Sequence, residues 1–100
     1  MIKNNIEISK SKFEAIEVVD KKNNTRHIIV GVDLAKAKYD VMFNKKHRVY
    51  SNDAKGCRQF CKTIKEIGEN VVVVYEATGS ISLYFAEMLD RNGIAHCQVT

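Results

Sequence analysis

Ile28-Ile29-Val30-Gly31-Val32-Asp33-Leu34-Ala35 is the stretch from which the rest of this 100-residue chain can be read. It is β-branched and almost continuously apolar, the pattern of a strand buried on both faces, and one acid interrupts it. Downstream, Lys38 to Phe43 and His47 to Ser51 alternate apolar and polar residues about the turn Asn44-Lys45-Lys46, so the three runs form a meander. Upstream, residues 1–26 read as an N-terminal extension. In it Ile6 and Ile8 alternate like a strand, Phe13, Ile16 and Val19 or Asp20 are spaced like a short helix, and Lys21 to Thr25 is a loop.

Beyond the meander the period changes from two to 3.6 and back. Asp53 is placed to cap a helix whose apolar stripe is Cys57, Phe60, Cys61, Ile64 and Ile67, ended by Gly68. Val71 to Tyr75 is a second buried strand and stops at Glu76. Thr78 or Ser80 then caps a helix with the stripe Ile81, Tyr84, Phe85, Met88 and Leu89, which Asn92-Gly93 terminates. Ile94 to Val99 is a last strand. Right-handed crossovers restrict this β-β-β-α-β-α-β string to an α/β fold. Counting strands from Ile28, the mixed five-stranded sheet has order 3-2-1-4-5, with only strand 2 antiparallel and both helices on one face. The other face then lacks a helical cover, so residues 1–26 are expected to cross it, or two copies to pack there.

Composition excludes several classes. There is no apolar run of membrane-spanning length, no proline, and no secretory leader in Met1-Ile2-Lys3-Asn4-Asn5. Three cysteines, with Cys57 and Cys61 one helical turn apart, suit core thiols in a reducing cytoplasm better than a disulfide scaffold or a zinc site. Residues 1–65 carry 15 of the 16 Lys and Arg against 7 acids, whereas residues 66–100 carry one Arg against 5 acids. That asymmetry directs the N-terminal part toward polyanions. Lys36, Lys38, Lys45, Lys46 and Arg48 fall along the hairpin beside Asp33, where they either contact phosphates or guard an exposed sheet edge.

The chemistry is expected at Asp33 and Glu76. The topology makes their strands parallel neighbours, and open α/β sheets place sites at the carboxyl ends of strands. Two embedded carboxylates repel each other and are costly to desolvate, and a hard divalent cation with oxygen ligands relieves both problems. Pairs of Mg²⁺ ions are a common device for in-line displacement at phosphodiesters.

The stretch from Val30 through Asp33, Lys36 and Asp40 to Val41 resembles the opening strand and hairpin of the DEDD-type insertion-sequence transposases, relatives of the Piv DNA invertase. Asn52 to Gly56, Tyr75-Glu76-Ala77-Thr78-Gly79 and Leu83 to Gly93 are similar to the segments that follow in that family. The resemblance covers about residues 27–100. It implies a partial RuvC-like domain of ribonuclease H fold whose C-terminal helices, third and fourth acids and second domain lie outside this chain. It further implies that Asp33 and Glu76 are catalytic and metal-binding, with two Mg²⁺ ions in the complete site. Thr78 and Ser80, at a helix start, join the basic hairpin as expected DNA contacts. The expected partners are DNA, a structured RNA, and further copies of the chain as a homo-oligomer. The expected activity is DNA strand cleavage and transfer in the whole protein, with this fragment inactive. A non-catalytic nucleic-acid-binding or oligomerisation module on the same fold is the alternative.

Overall fold

The computed structural model describes residues 17–20 and 25–99. In chain order the elements are β1 (Glu17–Asp20), β2 (Thr25–Leu34), β3 (Lys38–Phe43), β4 (Lys46–Ser51), α1 (Ala54–Ile67), β5 (Val71–Glu76), α2 (Ser80–Arg91) and β6 (His96–Val99). The sheet runs β4-β3-β2-β5-β6, the expected order. Antiparallel pairing joins β3 to β2 and β4, and parallel pairing joins β5 to β2 and β6.

The N-terminal part departs from expectation. Val19 and Asp20 belong to a strand, not a helix: β1 pairs antiparallel with the start of β2, Glu17 opposite Ile28 and Asp20 opposite Thr25. β1 itself therefore extends the sheet in its own plane. The expectations for residues 1–16 and 21–24 lie outside the described residues.

Alternation sorts β2 and β5 into two sets. Val30, Val32 and Leu34, with Val71, Val73 and Tyr75, join Phe60 and Ile64 of α1 and Phe85 and Leu89 of α2 in the main core. Ile29, Val72 and Val74 point the other way into a smaller cluster with Ala95, Cys97 and Val99, and they are themselves buried. Aromatic rings tie the helices to the sheet. Phe60 meets Tyr50 and Tyr39 edge-on at 5.5 and 6.1 Å, and Phe85 meets Tyr39 and Tyr75 at 5.0 and 5.1 Å. Burying each such ring contributes roughly 1.5–3 kcal/mol from apolar transfer alone.

Local chemistry sets the helix ends. Asp53 caps α1 by accepting from the Gly56 N–H at 2.8 Å, and its carboxylate also accepts from the Ser51 hydroxyl at 2.8 Å. Gly56 is required by a close approach: a Cβ there would lie 1.7 Å from the Ser51 carbonyl oxygen. At the end of α2, the Ile94 N–H reaches the Leu89 carbonyl and the Gly93 N–H reaches that of Asp90, a Schellman closure with Gly93 at φ 67°.

The start of α2 corrects the sequence reading. Neither Thr78 nor Ser80 caps it; Gly79 occupies that position at φ 61° with no side-chain cap. Ser82 does the local bonding instead, accepting from the Thr78 N–H and donating to the Gly79 carbonyl. The helix is also rotated from the expected stripe, so Ser82 is buried while Leu83 and Tyr84 are 66% and 70% exposed. No helix among the described residues is long and apolar enough to cross a membrane.

Candidate functional site

Register decides which side chains share a face. Val32 pairs with Tyr75 in the parallel β2–β5 ladder, so one residue further along both strands Asp33 stands beside Glu76. Both belong to the set that points away from the helices, and adjacent strands are about 4.8 Å apart. Asp33 is exposed and Glu76 half-buried. The two acids are thus neighbours near the carboxyl ends of their strands. Exposure of Asp33 removes the argument from desolvation cost, which assumed two embedded carboxylates; proximity alone remains.

A third acid completes a row. Asp33 pairs across the antiparallel ladder with Asp40, whose side chain lies on the same face. Like charges directly opposite are unfavourable, and an ammonium and an imidazole hydrogen bond beside Asp40 offset this pair. The Lys38 Nζ lies 3.8 Å from Asp40, and His47 Nε2 lies 3.0 Å from it. Asp40 was legible only through register. The Ala35 N–H to Lys38 carbonyl bond closes a tight turn at Lys36-Ala37, and counting outward from that turn pairs Asp33 with Asp40.

The basic residues divide between the two faces. Lys38 shares the acidic face. Lys46 pairs with Phe43 and Arg48 with Val41, so both point to the helical side, where they rim a cavity of about 260 Å³ over Phe60 and Ile64. Lys45 sits at the turn with φ 62°. Lys36 and Ser80 line a separate cleft of about 370 Å³ between the two helices, with Tyr39, Asn52, Cys57 and Tyr84. Thr78 is exposed in the loop after β5.

Asn52 and Tyr39 carry a role that the sequence reading missed. The Asn52 side-chain amide donates to the carbonyls of Ala35 and Lys36 at 3.1 and 3.2 Å, fixing the loop that leaves Asp33. Its Oδ1 accepts from the Tyr39 hydroxyl at 2.8 Å. Burial, and then the nearby Cys57 thiol at 3.2 Å, push the Tyr39 phenol well above its ordinary pKa, so it stays a donor. Burial likewise raises the Cys61 thiol, which lies against the Met88 sulfur at 3.3 Å.

A Mg²⁺ ion usually keeps several waters and takes one or two carboxylates. Asp33 and Glu76 fit that demand for one hydrated ion, since both are hard oxygen donors on one face and Asp33 is open to solvent. Among the described residues no three His, Cys, Asp or Glu converge as a metal-binding group. A second ion would need donors from elsewhere.

No family model, curated protein or solved structure matches this chain. Its geometry must therefore carry the functional reading.

Proposed function

We propose that this chain is the opening part of a ribonuclease H-like catalytic domain that cleaves and transfers DNA strands, as in a transposase or recombinase. The observation that carries the reading is the placement of Asp33 beside Glu76 at the carboxyl ends of adjacent parallel strands. The sheet order supports it, since an antiparallel meander followed by two crossovers gives β4-β3-β2-β5-β6.

In this reading Asp33 and Glu76 would hold Mg²⁺, which when bound would supply Lewis-acid stabilisation of charge on a phosphodiester oxygen. The chain's own groups do the positioning. Asp33 faces solvent, so its carboxylate is accessible to a cation and a DNA backbone without rearrangement. Asn52 fixes the loop after Asp33, which steadies that carboxylate. Lys38 and His47 hold Asp40, the third acid of the row, in ion-pair and hydrogen-bond contact. Lys36, at the same end of β2, is placed to attract phosphates.

In the protein as its gene encodes it, Asp33→Asn and Glu76→Gln should each abolish Mg²⁺-dependent DNA cleavage while the protein stays folded by circular dichroism. Cleavage that survives either change overturns the proposal. Salt-sensitive DNA binding that responds to neither Mg²⁺ nor these substitutions would favour the non-catalytic binding module instead.

A further inference from the structure

We propose that the outer edge of β4 is a docking strand for an extended acidic peptide of a partner protein. The inference is independent of the carboxylate pair. β4 pairs only with β3 among the described residues and ends the order of the sheet. Alternation in an antiparallel ladder fixes which backbone groups are available. The Ala35 to Lys38 bond sets the β2–β3 phase, so Asp40 and Met42 turn their own N–H and C=O toward β2. Their partners Val49 and His47 consequently turn theirs outward, away from β3. Ser51, the next outward residue, is closed off by the start of α1 at Gly56. The free stretch is therefore Lys46 to Tyr50, with Val49 53% exposed at its centre.

Beside this edge lies an open groove of about 420 Å³, walled by Arg48 and Tyr50 on one side and Gln59, Lys62, Thr63 and Glu66 on the other. Arg48 and Lys62, with Lys46 further along the strand, outnumber Glu66. A strand added to β4 would thus meet cations on its helix-facing side, and opposite charges across a sheet stabilise the pairing. A second copy of this edge would bring Lys46 and Arg48 against the same cations, so like charge disfavours self-pairing. Residues 1–16 hold Lys3, Lys10 and Lys12 against Glu7 and Glu14, so their charge does not select them either. Nucleic acid shares the negative charge but has no main-chain amides to answer His47 and Val49. An acidic extended peptide satisfies both requirements.

The test is amide hydrogen exchange on the whole chain with a synthetic peptide of alternating valine and glutamate. Its lysine counterpart and a single-stranded oligodeoxynucleotide serve as comparisons. The acidic peptide should slow exchange at His47 and Val49, and the lysine peptide should not. Arg48→Glu should reverse that preference. Val49→Pro removes an N–H that faces solvent and should weaken peptide binding by at least about tenfold; should that variant fail to fold, the Arg48→Glu reversal decides alone. Absence of protection by the acidic peptide overturns the proposal. So does stronger protection of the same amides by the oligonucleotide, which would make the edge a nucleic-acid surface.

Discussion

On one face of the sheet Val30, Val32, Val73 and Tyr75 lie under two helices and a cluster of aromatic rings. On the other, one residue out of phase along β2 and β5, Asp33 and Glu76 stand in a row with Asp40 of β3. The first face carries most of the burial and hence most of the stability. The second carries charge at the strand ends at little cost, because Asp33 remains in contact with water. A one-residue slip in register would exchange the two sets, so the packing that makes the fold also specifies where the acids go.

Substitutions sharpen this division. The largest effect belongs to the helical face. Phe60→Ala, at a fully buried ring, should cost about 3–5 kcal/mol in urea unfolding, enough to depopulate a domain of this size. Next is the buried bridge between β5, β6 and α2. His96 hydrogen-bonds Asp90 through Nε2 at 2.7 Å and the Tyr75 hydroxyl through Nδ1 at 3.1 Å. Tyr75→Phe leaves that buried Nδ1 unpaired and should cost about 1–3 kcal/mol.

Lys45→Gly should act in the opposite direction. Asn44 and Lys45 both have positive φ, the signature of a type I′ hairpin turn, which favours glycine at the second position. Relief of the left-handed strain should stabilise the fold by about 1 kcal/mol. On the acidic face, Asp33→Asn should move stability by no more than about 0.5 kcal/mol. An effect as large as that of Tyr75→Phe would mean that the two faces are not separable as described.

The Asp53 cap gives the subtlest signature. The Gly56 N–H and then the Ser51 hydroxyl hold its carboxyl below the usual carboxylate range. A depressed folded-state pKa contributes stability above the unfolded-state value and loses it as pH falls through the folded-state value. Asp53→Asn keeps a capping oxygen but cannot titrate, so it should remove this part of the acid sensitivity while leaving neutral-pH stability nearly unchanged.

The sheet order and both helix ends at Gly68 and Asn92-Gly93 were legible because they rest on period and on turn chemistry. Less was legible at the start of α2. Leu83, Tyr84 and Ser82 follow one another, and size alone favours burying the aromatic ring. Instead the Ser82 hydroxyl finds two backbone partners and turns inward, while Tyr84 projects to solvent. The placement of Asp33 beside Glu76 followed from topology. The facing of Lys46 and Arg48 required the register of a two-residue turn with two left-handed residues, neither of them glycine. β1 escaped notice because Glu17-Val18-Val19-Asp20 is too short to show a period, and only its pairing with β2 defines it.

The most direct test of the account is a Mn²⁺ titration followed by paramagnetic broadening of backbone amides, with Mn²⁺ standing in for Mg²⁺. Broadening should begin at Asp33, Leu34, Glu76 and Ala77 and disappear in Asp33→Asn. Broadening centred elsewhere, or unchanged by that substitution, would contradict a cation held between the two strand ends.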